Sequence, residues 1–278
     1  MRRRFAGIQS LRRVSAPLAL VLAMASCRGL PLSLKEPLPG ERLMPSQQLE
    51  FHTDFDLKPN DPLVRELSAE RDYIATTLSM PPSDEKIHVY LYHDAATYGE
   101  VLAKKFPMVP NRRAFFVESD TRLEVYAHAS DRVAEDLRHE VAHGYLHSCV
   151  PAIPLWLDEG LATYSEVLFY EAIYPELVPW WWSYRVERFA PQGDVGTSIY
   201  AFDAFQPYVN ATYLRTAVFL QRLRAQMGDA AFFSGLARYA QGRGGRIAAP
   251  ADFWTALDPT GRSDVARLRA EFGVGGHR

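Results

Sequence analysis

The sequence predicts an α+β protein in which a small mixed β-sheet with its helices is followed by a mainly helical half. Three observations lead to this fold class. Short stretches that alternate between apolar and polar residues, the period of a half-buried strand, lie before residue 130. After Ser130 the apolar residues recur at helical spacing almost without interruption. Strands that precede helices in this way favour separate layers over alternating β-α-β units.

The first 26 residues have the layout of an export signal. The stretch MRRRFAGIQSLRR carries five arginines and no acidic residue, and an apolar run from Ala16 to Ser26 follows it. This run has roughly half of the ~20 residues that a membrane-spanning helix needs, which disfavours a permanent transmembrane anchor. Removal of residues 1–26 would change the formal net charge from -2 to -7. A mildly acidic mature chain does not predict a nucleic-acid partner.

The segment after this signal is expected to tether the folded domain. Met24-Ala25-Ser26-Cys27 resembles a bacterial lipobox, which implies that Cys27 is acylated and holds the exported protein at a membrane of the cell envelope, facing the periplasm or the exterior. Plain secretion is the alternative, and it would leave Cys27 free to pair with Cys149, the only other cysteine. Residues 27–48 are rich in Pro, Leu and Gly without any period, and we expect a flexible linker there.

The folded domain is expected at residues 49–275, with an α/β part at 49–130 and a helical part at 131–275. Apolar residues make up 47% of the whole chain, which is ample for a buried core. In the α/β part, alternation marks strands and Asn-Asp-Pro or a lone Asp marks helix starts. The predicted elements are a strand in LEFHTDFD (49–56), a helix from Pro62 to about 78, a strand at 86–92, a helix from Asp94 to Phe106, and a hairpin of 113–117 with 122–127.

The helical part begins at Ser130-Asp131, a pair of residues typical of a helix N-cap. Two prolines within 151–154 must interrupt the first helix, because proline lacks an N–H donor and clashes with the preceding turn. The predicted helices lie at 131–148, 155–170, 212–227, 230–240, 250–257 and 263–272.

Inside the first of these helices, His139, Glu140 and His143 form the pattern H-E-x-x-H. Two histidines four residues apart lie on one helical face, about 6 Å apart along the axis. Both imidazoles can therefore reach one ion at zinc–nitrogen distances of about 2.0–2.1 Å. The pattern also arises by chance, and its surroundings decide its meaning.

Three residues beyond the pattern are candidates for a third ligand. His147 extends the same stripe, but it lies about 12 Å along the axis from His139, too far for both to bind one ion. We expect His147 to support a ligand from behind or to lie at the surface. Cys149 could bind zinc only if the chain turned back at that point. Glu159 is the better candidate, because the interrupting prolines allow a second helix to run back against the first.

The pattern H-E-x-x-H followed by WLDEGLA at 156–162 resembles the signature of the gluzincin metallopeptidases, the peptidase MA-like relatives of thermolysin and aminopeptidase N. The likeness is closest over 131–170 and extends over about 86–227. It implies a zincin-like fold, one zinc ion held by His139, His143 and Glu159, and Glu140 as the general base. The chemistry of these residues agrees, because a carboxylate beside the ion can take a proton from an activated water and pass it to the leaving amine.

The resemblance also implies a role for a later tyrosine. In aminopeptidase-like relatives, a tyrosine within Y-x-K-G-A donates a hydrogen bond to the oxyanion, and the stretch YLRTA from Tyr213 is similar. Tyr208 is the alternative, and an ordinary core tyrosine is the opposing interpretation. Glu166, two turns beyond Glu159, could orient a ligand histidine or could be a solvated helix residue. The Trp180–Trp182 run is expected to pack in the core, with a cleft wall or a membrane contact as alternatives.

The chain is therefore predicted to be a zinc-dependent peptidase that acts on peptides or proteins. It lacks the G-x-M-E-N stretch with which aminopeptidases capture a free amine, and endopeptidase activity is expected. The strand at 122–128 could pair with an extended peptide by strand addition, or it could be an ordinary sheet strand. Two other functions stay open: hydrolysis of a non-peptide amide on the same scaffold, and a non-catalytic binding module that zinc only stabilises.

Overall fold

One mixed five-stranded sheet and a set of helices make up the protein, in a computed structural model that describes residues 42–46, 48–77, 84–109, 112–119, 122–150, 153–242 and 250–274. The strands are β1 (Arg42–Ser46), β2 (Leu49–Thr53), β3 (Ile87–Tyr92), β4 (Ala114–Ser119) and β5 (Arg122–His128). Their order in the sheet is β1-β2-β3-β5-β4. The three inner strands are parallel, whereas β1 and β4 run antiparallel to their neighbours at the two edges.

Helices account for most of the chain after residue 130, which confirms the predicted α+β class. The helices are α1 (Pro62–Thr77), α2 (Ala95–Lys105), α3 (Val133–Cys149), α4 (Leu155–Ile173), α5 (Val178–Trp181), α6 (Phe205–Tyr208), α7 (Arg215–Met227), α8 (Asp229–Gln241), α9 (Pro250–Leu257) and α10 (Ser263–Glu271). Two π-helical segments, Trp182–Val186 and Val209–Leu214, follow α5 and α6 directly. Shorter 3₁₀ turns lie at Pro175–Leu177, Glu187–Phe189 and Ile199–Ala201.

The helix-start signals in the α/β part act as the sequence predicts. Asp61 Oδ1 accepts a hydrogen bond of 2.9 Å from the backbone N–H of Leu63 at the start of α1. Asp94 Oδ1 accepts one of 2.7 Å from the N–H of Thr97 at the start of α2. Each aspartate satisfies one of the backbone donors that a helix leaves free at its N-terminus.

The sheet separates two cores. On one face, Phe51, Val89 and Val125 are buried against the helices of the C-terminal half. On the other face, α2 covers an aromatic cluster that includes Tyr126 and Phe115. Side chains on a strand point alternately to the two faces, so residues next to each other in sequence enter different cores. No helix in the described part of the chain is both long and apolar enough to cross a membrane.

The structure corrects the end of the predicted linker. Residues 27–48 were expected to lack structure, but Arg42–Ser46 forms β1 and pairs with β2. Pro45 is compatible with this strand because β1 lies at the sheet edge, where a missing N–H interrupts no ladder on the outer side. The export signal at 1–26, the lipidation site Cys27 and the linker up to residue 41 lie outside the described residues.

The predicted helix at 212–227 is also corrected. Its α-helical part begins at Arg215, and the preceding residues Val209–Leu214 have the wider π-helical turn. Sequence periodicity does not detect a single inserted residue in a helix. Such π-helical turns often mark functional positions, because the extra residue changes the direction in which nearby side chains point.

Candidate metal centre and cleft

Two antiparallel helices, α3 and α4, bring three ligand atoms together. The Nε2 atoms of His139 and His143 lie 3.2 Å apart. Glu159 Oε2 lies 3.4 Å from Nε2 of His139 and 3.2 Å from Nε2 of His143. Ligand atoms on a tetrahedron with bonds of about 2.0–2.1 Å are separated by roughly 3.3–3.4 Å. The predicted ligands therefore converge with the spacing that one ion requires.

Close packing between helices fixes the start of α4, where Glu159 lies. A Cβ atom on Gly160 would come within 2.0 Å of Thr216 Cγ2 on α7. Only glycine leaves room for α7 at this point, and any larger residue would push α4 away. This contact limits where α4 can lie against α7, and it thereby fixes the position of the neighbouring Glu159 relative to α3.

The other ring nitrogen of each ligand histidine faces a carboxylate. Nδ1 of His139 lies 3.2 Å from Glu166 Oε1, and Nδ1 of His143 lies 2.9 Å from Asp158 Oδ1. In zinc sites a ligand histidine usually donates its second N–H to a carboxylate, which fixes the tautomer and the ring orientation. The donor set and its surroundings thus fit a zinc ion.

Glu166 is held in place from the opposite side by two further donors. Its Oε2 accepts hydrogen bonds from Trp181 Nε1 at 3.3 Å and from Arg185 Nε at 3.2 Å. Burial raises the pKa of Glu166, but the charges of Arg185 and His139 lower it by more, to about 2. Glu166 is therefore a buried residue in contact with His139 rather than a solvated helix residue, an environment that suits the predicted orienting role.

Asp158 links the second ligand histidine to His147 and to the sheet. Its Oδ2 lies 3.0 Å from His147 Nε2, and His147 Nδ1 lies 2.8 Å from Glu118 Oε2 on β4. Burial raises the pKa of Asp158, while His143 and His147 lower it by more. His147 is therefore linked to His143 through Asp158, and its ring also lies edge-on to the ring of His143, with centroids 6.4 Å apart.

The charges at the centre explain the pKa values of the ligands. Burial lowers the pKa of His139, but its hydrogen bonds to Glu159 and Glu166 raise it by more, to about 9. Burial raises the pKa of Glu159, but His143 and His139 lower it by more, to about 2. Three carboxylates, those of Asp158, Glu159 and Glu166, thus face two rings that can each carry only one positive charge. A dication can replace the protons of these rings, so metal binding and protonation compete here.

Tyr213 comes from the π-helical segment and faces the same centre. Its hydroxyl donates a 2.6 Å hydrogen bond to Glu159 Oε1, and its ring stacks on His139 with centroids 5.6 Å apart. Burial and then the charge of Glu159 raise the pKa of Tyr213 well above its ordinary value. The phenol therefore keeps its proton and can donate it in a hydrogen bond. Tyr208 packs edge-on against Tyr213, at 5.5 Å.

Glu140 lines the cleft beside the ligands and is partly exposed. Burial raises its pKa above the ordinary value, while the positive charges of His139 and His143 act in the opposite sense. Within the described residues, no side chain forms a hydrogen bond to this carboxylate. Glu140 is therefore available to a water molecule or a substrate, with a pKa shifted toward the range that suits a general base.

A cleft of about 760 Å³ opens over this centre. One wall is β4, which contributes Ala114, Phe116 and Glu118, and the opposite wall is formed around Tyr208 and Tyr213. β4 is an edge strand, whereas β5 is paired on both sides by β3 and β4. The expectation that the strand at 122–128 could receive a peptide is therefore wrong, and its alternative, an ordinary sheet strand, is confirmed.

Several functional neighbours carry no role in the sequence interpretation. Asp158 lies inside the quoted motif, yet only the fold shows that it bridges two histidines. Arg185 follows the tryptophan run by three residues, and Trp181 is the buried member of that run, whereas Trp180 is exposed and stacks on Tyr184. The contacts of Arg185 and Trp181 with the buried Glu166 join different elements, and residue spacing in the sequence does not reveal such contacts. Cys149 is half-buried at the end of α3, and it belongs to none of the convergent groups of metal-binding side chains among the described residues.

Comparisons with known proteins agree with this site. Residues 111–272 match the family model described as the peptidase family M1 domain. Over 154 residues the chain is 28% identical to a membrane alanyl aminopeptidase of Manduca sexta, a match that takes in 50% of this chain and 15% of the relative.

Solved structures show the same fold at lower identity. An M1 zinc metallopeptidase from Deinococcus radiodurans superposes with a TM-score of 0.56 at 20% identity, over 86% of this chain and 52% of that one. A mutant of that enzyme bound to a Tyr-Ser-Ala substrate gives 0.55 at 22% identity, over 84% and 52% of the two chains. The chain thus spans about half of these structures and a smaller part of the insect relative. Because the family model covers more than half of its residues, the chain belongs to peptidase family M1.

Proposed function

We propose that the protein is a zinc-dependent endopeptidase in which His139, His143 and Glu159 hold the ion. Two imidazoles and one carboxylate suit zinc and leave a fourth position open for chemistry. When bound, zinc supplies Lewis acidity, which polarises a carbonyl and acidifies a water. The other steps belong to the residues of the chain.

Glu140 and Tyr213 are assigned complementary steps. Glu140 takes a proton from the attacking water and delivers it to the nitrogen of the leaving amine. Tyr213, which keeps its proton, donates a hydrogen bond to the oxygen that gains negative charge. In the structure the hydroxyl donates to Glu159, so in this mechanism Tyr213 exchanges that acceptor for the substrate oxygen.

One observation favours an endopeptidase over an aminopeptidase. Among the described cleft residues, every acidic side chain except Glu140 already contacts a basic or tyrosine side chain of the protein. These pairs are Glu118–His147, Glu135–Arg132, Asp136–Arg113, Asp158–His143, Glu159–Tyr213 and Glu166–Arg185. An aminopeptidase needs a carboxylate that is free to bind the α-ammonium group of its substrate. Within the described residues β4 pairs with β5 alone, so an extended peptide can pair with its other edge along the cleft, which supports a peptide substrate.

The first experiment compares metal content and peptide hydrolysis in wild type, Glu159→Ala and Glu140→Gln. Glu159→Ala should lose the ion at the centre, whereas Glu140→Gln should keep it and lose about 10²–10⁴-fold in kcat. Glu100→Gln, an exposed position on α2, is the matched control and should match wild type. Hydrolysis by Glu140→Gln at the wild-type rate would refute the assigned base. Zinc without any hydrolysis of peptides would favour the binding module.

A second experiment separates the two kinds of peptidase. An internally quenched peptide with an acetylated N-terminus has internal peptide bonds but no free α-amine. An aminoacyl amide has a free α-amine but no internal peptide bond. We expect cleavage of the acetylated peptide and little release from the aminoacyl amide. The family relationship makes aminopeptidase activity the strongest alternative, and release of single residues from free N-termini only would establish it. Hydrolysis of non-peptide amides alone would support the remaining alternative.

We also propose that Cys27 is acylated and anchors the exported protein to a membrane of the cell envelope. The support is the sequence Met24-Ala25-Ser26-Cys27 after an apolar run. A fatty-acid analogue supplied to a bacterial expression host should label the full chain, and Cys27→Ala should abolish the label and release the protein from membranes. An unlabelled mature protein with a Cys27–Cys149 disulfide, detected by mass spectrometry, would show that the secreted form is correct.

A further inference from the structure

A second cluster of metal-binding side chains lies on the sheet, away from the cleft. Glu50 and His52 are two residues apart on β2 and so point to the same face. His88 on β3 is the register partner of Glu50 and shares that face. This is the face that α2 covers, whereas Phe51 and Val89 point into the other core. None of the three residues lines the cleft.

The three ligand atoms converge as closely as those of the proposed catalytic centre. Nε2 of His52 lies 3.0 Å from Nδ1 of His88. Glu50 Oε1 lies 3.4 Å from the first of these atoms and 3.3 Å from the second. The corresponding three distances at His139, His143 and Glu159 are 3.2, 3.4 and 3.2 Å. Both triangles have edges close to the roughly 3.3–3.4 Å expected for ligands around one zinc ion.

A hydrogen bond within this triangle joins only two of its three atoms at a time. The carboxylate oxygen carries no proton, and each ring nitrogen carries at most one. If both nitrogens are protonated, two donors face each other across 3.0 Å. If only one is protonated, its hydrogen points at one partner, and the third atom depends on a donor from outside the triangle, such as Arg122 at His88. A cation between the three atoms attracts all of their lone pairs at once.

The surroundings hold the two rings and allow an ion to enter. The ring of His52 stacks on Tyr90 with centroids 4.5 Å apart, and Tyr90 stacks on Tyr126 at 4.8 Å. The side chains of Glu50, His52 and His88 are 22%, 7% and 12% exposed. The two rings are thus fixed and screened, while Glu50 opens to solvent, where water can complete the coordination.

One neighbouring cation competes for the same position. Arg122 Nη2 lies 3.2 Å from Nδ1 of His88, which shows that this nitrogen presents its lone pair toward a positive charge. The Arg122 side chain is 38% exposed, and its Nη1 lies 3.7 Å from Glu124 Oε1. The guanidinium can therefore move to Glu124 when an ion takes its place at His88.

We propose that Glu50, His52 and His88 bind a second divalent transition-metal ion of the zinc class. Two imidazole nitrogens and one carboxylate oxygen are the donors that such ions prefer. The ion would join β2 to β3 and act structurally. Within the described residues, the nearby acid Glu124 is already hydrogen-bonded by Tyr126 and so is not placed as a base. The site shares no residue with the proposed catalytic centre and does not depend on the proposed activity.

The test counts zinc in the absence of the catalytic centre. Metal-stripped Glu159→Ala protein is titrated with Zn²⁺ alone, and bound zinc is measured by elemental analysis after desalting, with thermal unfolding followed in the same samples. We expect one zinc per chain in Glu159→Ala, two in wild type, and a higher Tm when the remaining site is filled. Adding His88→Gln or Glu50→Gln to Glu159→Ala should remove both the bound zinc and the rise in Tm.

Two further measurements keep the test decisive. His93→Asn in the same background changes an exposed histidine that contacts two aspartates, and it should keep the bound zinc. Circular dichroism shows whether the Glu50→Gln and His88→Gln chains are folded. If His88→Gln does not fold, the zinc content of Glu50→Gln, the change at the more exposed residue, decides the test. Absence of bound zinc in folded Glu159→Ala would overturn the proposal, as would zinc that folded Glu50→Gln retains.

Discussion

Glu166 is buried at 3% exposure and still carries a charge. An unpaired charge in the interior is costly, so a buried carboxylate needs partners that compensate for the loss of hydration. It contacts His139 on one side and Arg185 and Trp181 on the other, and these contacts suit the proposed task of fixing the ring of His139, a proposed metal ligand.

We therefore expect Glu166→Gln to bind zinc at the catalytic centre about 10–100-fold more weakly, as is usual when a group behind a ligand histidine is changed. The amide would turn an N–H toward donors and lose the negative charge. Competition with a chromogenic chelator measures the affinity. Glu171→Gln, which changes an acid on the same helix that pairs with Arg224 instead, is the control. Equal affinity in Glu166→Gln and wild type would contradict the assigned role.

Glu70 on α1 is a buried acid of the opposite kind. It is 0% exposed, and neither of its oxygens has a hydrogen-bond partner in the described part of the chain. Burial raises its pKa well above the ordinary value, although Arg138 acts in the opposite sense. The folded protein therefore keeps this proton at pH values where the unfolded chain, with a glutamate pKa of about 4.3, has released it.

This difference predicts how stability depends on pH. Above the unfolded pKa the folded state binds more protons, so the free energy of unfolding falls as pH rises, by up to about 1.4 kcal/mol per pH unit from this residue. Glu70→Gln should remove that part of the decline between pH 5 and 8, measured by urea unfolding at several pH values. Glu100→Gln should leave the decline unchanged. A pH slope in Glu70→Gln equal to wild type would show that Glu70 is ionised in the folded state.

At the scale of elements, the close contact between α4 and α7 at Gly160 should contribute to stability, and a side chain at this position should lower the free energy of unfolding. Gly160→Ala should lower the free energy of unfolding by about 1–3 kcal/mol, the usual range for an overpacked contact. Part of the loss should return in Gly160→Ala/Thr216→Ser, since serine lacks the Cγ2 atom at 2.0 Å from the added Cβ. Denaturant unfolding measures both. The prediction fails if Gly160→Ala is as stable as wild type, or if the second change recovers nothing.

The elements also show what a sequence can predict here. Period and start signals located α1, α2, α3 and the inner strands, because each is a local pattern of apolar residues and caps. His139, His143 and Glu159 could be found because a helical repeat and a proline break are local too. The role of Asp158, the π-helical turn before α7 and the edge position of β4 depend on which elements pack together. Those arrangements join residues far apart in sequence, and no local pattern records them.

At the scale of the whole molecule, metal binding should contribute to stability because the proposed ligands join α3 to α4. An ion that binds only the folded state adds about 2.7 kcal/mol at a free concentration 100 times its Kd. For a chain of this size that corresponds to roughly 5–11 °C in Tm. A chelator should therefore lower the Tm of wild type clearly, and less in Glu159→Gln. An equal decrease in both proteins would mean that this centre holds no ion.

The hydrogen-bonded series Glu118–His147–Asp158–His143 runs from the edge strand to a metal ligand. A peptide that pairs with β4 would therefore act on the same strand that positions His143. If the peptide changes the geometry of the metal ligands, then the affinity for the peptide must depend on whether the ion is bound. Thermodynamic reciprocity then requires that the ion alter peptide affinity by the same factor as the peptide alters ion affinity. If a peptide on β4 shifts His143 through this series, substrate and metal would bind cooperatively rather than independently.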